Sequence, residues 1–328
     1  MSGSRLLVSD YDFAPVDRDR LLEALRDVPP VLVPRGQLVS ALQEHPEAEI
    51  LCTFHAPANA QALAPGLRWL ALPSAGVESA AEAGLLTPAS GLMVTNARGI
   101  HAIPIGEYVM SGLLLWARHW KPMLEMQRLH QWPDRARWHE LRGHELAGAT
   151  LGIVGLGAIG TQIARFGRGF GMRTVAIRRS GRHDGSLAVD HVYAPSELHS
   201  LLRDADYVVI AVPGTPETAH LIDRDALHAM RRQAVLVNIA RGLVVDEPAL
   251  IEALRDGTIA GAVLDVFSDE PLPAASPLWD MPNVLLSPHL SGSSERYSQR
   301  FTDLLLENLA HYRAGEPMRN LVDPERGY

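Results

Sequence analysis

The segment from Leu151 to Gly160, LGIVGLGAIG, constrains the fold of this chain more than any other. A short apolar run is followed by Gly155, Gly157 and Gly160, a spacing typical of a strand that turns into a dinucleotide-binding helix. The first glycine permits the turn, the second lets a pyrophosphate approach the backbone, and the third lets the helix pack closely on the strand. The pattern predicts a parallel α/β unit with a nicotinamide or flavin cofactor, although ordinary strand-turn-helix corners share this spacing.

The residues after this helix bear on the choice of cofactor. Arg173 to Ile177 reads as the next strand, and NAD enzymes usually carry Asp or Glu after it to bind the ribose 2′-hydroxyl. This chain has Arg178 there, followed by Arg179, Ser180 and Arg182. Guanidinium groups bind a 2′-phosphate through charge-assisted hydrogen bonds, whereas a carboxylate repels it. The sequence therefore predicts NADP as cofactor, with NADPH preferred over NADH; the alternative is a solvated basic loop without a ligand.

Composition limits the classes of partner. The 328 residues, 47% hydrophobic and 21% charged, suffice for two globular domains. The net charge of −8 and the dispersed basic residues argue against nucleic acid as a partner. No apolar window is long enough for a membrane span and the start lacks a secretory signal, so a cytoplasmic protein is expected. A single cysteine, Cys52, allows no internal disulfide and no cysteine-rich metal site; we expect it on a buried strand and expect no metal.

The order of elements predicts the architecture. From Arg5 to about Thr95, five short apolar runs alternate with amphipathic stretches, which indicates a parallel sheet covered by helices. One long helix is predicted from Pro104 to about Leu129, and the alternation resumes after Gly160. A second long helix, Ser294 to Tyr312, is expected to return to the first domain.

The predicted fold class is therefore α/β, with two doubly wound parallel-sheet domains. A Rossmann-type cofactor domain at 101–290 is inserted into a flavodoxin-like substrate domain at 1–100 and 291–328. The stretch HQWPDRARWHE, with Trp132 and Trp138 among charges, has no clear periodicity. It is either an arm that packs on a second subunit or a loop that covers its own domain.

Three polar residues each follow an apolar strand of the second unit: Arg241, Glu270 and His289. The carboxyl ends of parallel strands converge on the ligand crevice, so all three would face one cleft. This set suits reduction of a 2-oxo acid, in which negative charge builds on the carbonyl oxygen. His289 would donate the proton. Glu270 at its other ring nitrogen would orient the ring and favour the imidazolium.

Two further roles complete this set. Arg241 would bind the substrate carboxylate and polarise the carbonyl oxygen through charge-assisted hydrogen bonds. Asp265 either supports Arg241, Glu270 and His289 without touching the substrate or caps a turn after its strand.

The chain resembles the NAD(P)-dependent D-isomer specific 2-hydroxyacid dehydrogenase family over nearly its whole length. The matching segments are SAGVE (74–78), VTNARG with GEYV (94–109), TLGIVGLGAIG (150–160), VPGTPET (212–218), NIARG (238–242), LDVFSDEP (264–271) and SPHLSG (287–292). The resemblance implies that Arg241, Glu270 and His289 are the catalytic set and that dimers form. With Arg178 in place of a carboxylate, the chain looks like the glyoxylate/hydroxypyruvate reductases of this family.

The resemblance also implies the binding residues. For the substrate these are Ser74, Ala75, Gly76, Arg241 and His289. For the cofactor they are Gly155, Gly157, Ala158, Ile159, Gly160, Arg178, Arg179, Ser180, Val212, Pro213, Thr218, Ile239, Ala240, Arg241, Asp265 and His289. Formate dehydrogenases are set aside because they pair the histidine with Gln, and long phosphoglycerate dehydrogenases because this chain ends at Tyr328.

The small 2-oxo acid or 2-hydroxy acid itself is left open among glyoxylate, hydroxypyruvate, phenylpyruvate and branched acids. Phe54, His55 and Trp279 are candidate pocket residues, with packing roles as the alternative. A cofactor-sensing protein similar to corepressors of this fold is a competing hypothesis, disfavoured by the absence of long disordered segments. A glycine-loop methyltransferase would leave the three polar residues unexplained.

Overall fold

The chain divides into two units. The first comprises Met1–His101 and Ser294–Tyr328, and the second comprises Ala102–Ser293. The computed structural model describes residues 6–179 and 189–324. Ser180 and Arg182, predicted near the cofactor, lie outside the described residues.

The first unit is built on a five-stranded parallel sheet. Its elements before the second unit are β1 (Leu7–Ser9), α1 (Pro15–Ala24), β2 (Val31–Leu32), α2 (Leu38–Glu44), β3 (Ile50–Cys52), α3 (Ala60–Leu63), β4 (Trp69–Ala71), α4 (Glu78–Glu82) and β5 (Met93–Thr95). The strand order is β2-β1-β3-β4-β5, the flavodoxin-like order. All pairs are parallel, as the alternating pattern predicted.

Both faces of this sheet are buried. Successive residues of each strand point to opposite sides, so one strand contributes to two cores. Leu51 and Leu70 belong to the core on one face, while Cys52 and Trp69 belong to the core on the other. Cys52 is fully buried, as predicted.

The second unit contains a seven-stranded parallel sheet. Its elements are α5 (Ala102–Ala117), α6 (Trp120–Arg128), α7 (Arg135–Glu140), β6 (Thr150–Val154), α8 (Ala158–Gly169), β7 (Arg173–Ile177), β8 (His191–Tyr193), α9 (Leu198–Asp204), β9 (Tyr207–Ile210), α10 (Arg224–Ala229), β10 (Val235–Asn238), α11 (Glu247–Arg255), β11 (Gly261–Leu264) and β12 (Val284–Leu286). The strand order is β12-β11-β10-β9-β6-β7-β8, so the order reverses between β6 and β9 as in a Rossmann sheet. The predicted fold class is confirmed.

After the second unit the chain returns to the first as α12 (Tyr297–Ala314), as predicted. Its apolar residues Phe301, Leu305 and Leu309 join the core that also contains Trp69. In the described part of the chain, no helix combines the length and the apolar character needed to cross a bilayer.

The single long helix predicted from Pro104 to Leu129 is wrong. The structure has two helices, α5 and α6, separated at Arg118 and His119, and His119 is left-handed with φ of 53°. Pro122 explains the break, because its ring would clash with the carbonyl of residue 118 and it has no N–H to donate. In the first turn of a new helix the same proline is tolerated.

Two short elements were not anticipated. The stretch after Trp132 contains α7, which begins where the Asp134 carboxylate accepts the amide of Arg137 at 2.7 Å. Among the described strands, the edge strand β8 pairs only with β7, and it is partly exposed, so it lacks the apolar run that marked the other strands.

Candidate active site

The glycine-rich corner between β6 and α8 has the geometry that a dinucleotide requires. Gly155 has φ of 106°, and a Cβ at Gly160 would lie 2.1 Å from the carbonyl oxygen of Gly155, so both positions need glycine. A Cβ at Gly157 would meet no protein atom within 4 Å. No side chain of the described residues caps the amino terminus of α8, which leaves its first amides, at Ala158 and Ile159, available to an anion. These residues fit a pyrophosphate.

The other predicted cofactor residues lie at the carboxyl ends of neighbouring strands. Arg178 directly follows β7 and is half-buried, and Arg179 is exposed. After β9, the Thr218 hydroxyl donates to the carbonyl of Pro213 at 2.7 Å, which closes the loop that begins with Val212. Ile239 and Ala240 are buried immediately after β10.

Arg241 is held by a local network that the sequence did not reveal. The Asn238 carboxamide accepts the amide of Ala240 and donates to the carbonyl of Arg241, each at 3.1 Å. Arg241 is half-buried, and its guanidinium donates to the carbonyl of Ala240 at 2.8 Å. A Cβ at Gly242 would lie 1.9 Å from the carbonyl oxygen of Phe267. The loop of Arg241 is therefore in direct contact with the loop that leads to Glu270.

Glu270 and His289 form a hydrogen-bonded pair. The Glu270 Oε2 lies 2.7 Å from Nδ1 of His289, and Oε1 accepts the amide of Phe267 at 3.0 Å. An ionised carboxylate only accepts, so Nδ1 carries the proton and Nε2 is the ring nitrogen left for a substrate. The imidazole is about half exposed. His289 is left-handed with φ of 54°, a conformation that a β-substituted residue keeps only when its surroundings hold it.

Asp265 holds the turn that carries His289. It is fully buried, and its main-chain carbonyl accepts the amide of His289 at 2.9 Å. Its carboxylate accepts the amides of Leu290 at 2.8 Å and Ser291 at 2.9 Å, and also the hydroxyl of Ser287. Asp265 therefore caps the turn that carries the histidine.

The SAGVE loop follows β4 of the first unit. The carbonyls of Ser74 and Ala75 accept hydrogen bonds from the Ala97 amide and the Asn96 carboxamide, both at 2.8 Å. Among the described residues, no group accepts a hydrogen bond from the amides of Ala75 or Gly76. These amides therefore suit a carboxylate.

The predicted pocket aromatics have different surroundings. The carbonyl of Phe54 accepts the hydroxyl of Ser79 at 2.7 Å, and its ring lies under the guanidinium of Arg35 at 5.7 Å. His55 is exposed. Trp279 is also exposed, with its indole N–H on the carbonyl of Pro273. Within residues 6–179 and 189–324, no three metal-ligating side chains come together.

Comparison with known proteins identifies the family. Residues 110–291, more than half of the chain, match the model for the D-isomer specific 2-hydroxyacid dehydrogenase, NAD binding domain. A glyoxylate reductase of Korarchaeum cryptofilum is 36% identical over 318 residues, covering 96% of this chain and 88% of the relative.

Two solved structures extend the comparison. A D-isomer specific 2-hydroxyacid dehydrogenase from Xanthobacter autotrophicus Py2, in complex with NADPH and MES, has a TM-score of 0.81, 29% identity and full coverage of both chains. An NADPH-dependent glyoxylate/hydroxypyruvate reductase from Sinorhizobium meliloti, in complex with NADP and sulfate, has a TM-score of 0.81 and 25% identity, covering 98% of this chain and 99% of that one. The chain belongs to the D-isomer specific 2-hydroxyacid dehydrogenase family and is an NAD(P)-dependent oxidoreductase.

Proposed function

We propose that this protein reduces a small 2-oxo acid, glyoxylate or hydroxypyruvate or a close analogue, to the D-2-hydroxy acid with NADPH. The observation that carries this proposal is the pair of Glu270 and His289, joined at 2.7 Å on the sheet edge where the loop of Arg241 also lies. The names of the relatives from Korarchaeum cryptofilum and Sinorhizobium meliloti support the same substrate class.

The proposed chemistry assigns one task to each side chain. The bound cofactor supplies the hydride for the carbonyl carbon. His289 donates a proton from Nε2 to the carbonyl oxygen as charge builds there, an effect typically worth about 10² to 10⁴ in rate. Glu270 accepts a hydrogen bond from Nδ1–H, which favours the imidazolium that carries a second proton on Nε2, and it fixes the plane of the ring. Arg241 binds the substrate carboxylate and polarises the carbonyl. In the first unit, the amides of Ala75 and Gly76, with Ser74 beside them, are proposed to bind a carboxylate.

The NADPH preference rests on Arg178. It occupies the position after β7 where NAD enzymes carry a carboxylate, and two solved relatives were obtained with NADPH or NADP. Replacing Arg178 with Asp would introduce repulsion toward a 2′-phosphate and an acceptor for a 2′-hydroxyl. We expect the ratio of kcat/KM for NADPH to that for NADH to fall in this variant. An unchanged ratio would transfer the role to Arg179 or Arg182.

The test of the proposed function is turnover. Purified protein is mixed with NADPH or NADH and a panel of 2-oxo acids, and loss of reduced-nicotinamide absorbance gives kcat/KM for every pair. His289→Ala should lower kcat by about 10² to 10⁴ while the Kd for NADPH stays nearly unchanged. Cofactor binding without turnover of any acid would overturn the proposal in favour of a cofactor-sensing protein. Unchanged kcat in His289→Ala would remove the histidine from the acid role.

We also propose that the protein is a homodimer joined through the arm of α6 and α7. Trp132 and Trp138 are 93% and 60% exposed, and Leu124 of α6 and Leu129 directly after it are about half exposed. Such a cluster of large apolar side chains is typical of a surface covered by a partner. A symmetric second copy provides this cover without any other protein.

A further inference from the structure

A line of three side chains leads from α5 to the turn that carries His289. The phenol oxygen of Tyr108 lies 2.6 Å from Oγ of Ser287. The hydroxyl of Ser287 in turn donates to Oδ1 of Asp265. Tyr108 lies in the GEYV segment and Ser287 begins the SPHLSG segment, so two sequence motifs that had no common explanation meet here.

The number of protons on each of the three side chains sets the direction of these hydrogen bonds. An ionised Asp265 carboxylate can only accept, so Ser287 donates its one hydroxyl proton to Asp265. Ser287 Oγ must then accept from Tyr108, and the phenol is the donor. Burial raises the pKa of Tyr108, which keeps the phenol protonated and able to donate.

The far end of this line holds His289. Ser287 is fixed by its amide, which donates to the carbonyl of Leu264 at 2.9 Å and so extends the pairing of β12 with β11. Asp265, held between Ser287 and the amides of Leu290 and Ser291, closes the turn around His289. The turn with the left-handed backbone of His289 is therefore closed by a carboxylate that Ser287 also contacts.

We propose that Tyr108 is a positioning residue for His289. Its hydroxyl orients Ser287, Ser287 orients the carboxylate of Asp265, and Asp265 holds the turn from which the imidazole reaches Glu270. The effect on turnover rests on the proposed function, whereas the effect on the imidazole does not. Because a misplacement of about 1 Å can cost about 10²-fold in rate, loss of the phenol hydroxyl should lower kcat by about tenfold.

The first test reads the imidazole directly, without turnover. The chain has 14 histidines, and a His289→Gln variant identifies the ring nitrogen signals of His289 in protein labelled with ¹⁵N-histidine. In Tyr108→Phe, which keeps the ring and removes only the hydroxyl, these signals should shift or broaden. Tyr193→Phe is the matched control, because Tyr193 of the same unit donates to a different carboxylate, that of Asp204, at 3.0 Å. Signals that move in neither variant would overturn the inference.

The second test compares kinetic constants. Tyr108→Phe should lower kcat about tenfold with little change in KM for the oxo acid, in the Kd for NADPH or in the melting temperature. If Tyr108 acts through Ser287, the double variant with Ser287→Ala should be no slower than Ser287→Ala alone. Additive losses would show that Tyr108 acts elsewhere. Ser287→Thr, which keeps the hydroxyl, should restore most of the activity that Ser287→Ala loses.

The two tests separate this inference from the proposed function. If the unaltered protein turns over no 2-oxo acid but the His289 signals move in Tyr108→Phe, the proposed function fails and the positioning role stands. If turnover is normal and the signals and kcat are unaffected by Tyr108→Phe, the positioning role fails alone.

Discussion

Glu270 shows how one side chain serves both the fold and the site. One of its oxygens accepts the amide of Phe267 and shapes the loop after β11, while the other faces Nδ1 of His289. The carboxylate is thus oriented by its own loop before any ligand arrives. Its position relative to the histidine depends on Gly242, because any side chain there would collide with Phe267 and separate the loops.

This arrangement predicts a difference between two replacements of Glu270. Glu270→Gln keeps an acceptor for the amide of Phe267 but lacks the charge that fixes Nδ1 as the donor, so kcat should fall by about 10²-fold with little change in melting temperature. Glu270→Ala also leaves the Phe267 amide without its acceptor, so it should lower the melting temperature as well. Steady-state kinetics and thermal unfolding check both. Equal melting temperatures for the two variants would contradict the structural half of the argument.

The glycines of the cofactor corner should respond differently to alanine. At Gly160 the new Cβ would clash with the carbonyl of Gly155, so Gly160→Ala should lower the free energy of unfolding by about 1–3 kcal/mol. At Gly157 the Cβ faces open space, so Gly157→Ala should leave stability intact but raise the Kd for NADPH about tenfold, equivalent to about 1.4 kcal/mol. Urea unfolding and fluorescence titration measure the two effects. Tight cofactor binding by Gly157→Ala would place the pyrophosphate elsewhere.

At the scale of elements, the single lysine of the chain joins α6 to the loop and strand before His289. Lys121 donates to the carbonyls of Met281 at 2.8 Å and Val284 at 2.7 Å. Burial lowers the pKa of Lys121, but the ammonium is retained because two carbonyl oxygens accept from it. An element of the arm is thereby fixed to the edge of the sheet that leads to the histidine.

Lys121→Met should lower the free energy of unfolding by about 1 kcal/mol, because two carbonyls lose a charged donor that the new side chain cannot replace. Arg128→Met on the same helix is the control. Among the described residues Arg128 pairs only with the exposed Glu125, so its loss should cost clearly less stability than the loss of Lys121. Urea denaturation of both variants gives the comparison. Equal stabilities would mean that the lysine adds nothing beyond a surface ion pair.

The elements also show where sequence reasoning succeeded. Strands buried on both faces, such as β3 and β10, were recognisable because a parallel sheet covered by helices needs continuous apolar runs. The break between α5 and α6 was missed because the apolar spacing continues across it. The sequence signal for the break is Pro122, four residues after Arg118. The edge strand β8 was missed because an edge residue need not be apolar.

At the scale of the whole molecule, the exposed arm predicts the state of association. Trp132→Arg would place a charge in the surface proposed to join two copies, so sedimentation velocity should show the unaltered protein as a dimer and the variant as a monomer. Trp279→Arg changes another exposed tryptophan of the same unit and should remain dimeric. A monomeric unaltered protein at micromolar concentration would contradict the homodimer.

Labelling of Cys52, the only cysteine of the chain, measures how often unfolding exposes the core of the first unit. Cys52 lies in β3 at the centre of the five-stranded sheet, and burial raises the pKa of its thiol to about 12. Because the thiolate is the reactive form, a disulfide reagent at pH 8 should label the native protein far more slowly than the protein in urea, where one thiol per chain should react. Rapid labelling under native conditions would show that the first unit opens readily.

The sequence by itself determined the fold class, the two α/β units and the identity of the polar residues at the strand ends. It could do so because apolar periodicity and glycine spacing are local properties of the chain. Only the tertiary structure decided how these residues are held. The contact of Gly242 with Phe267 and the line from Tyr108 through Ser287 to Asp265 join residues far apart in sequence. Such contacts depend on how strands and helices pack, which no local pattern records.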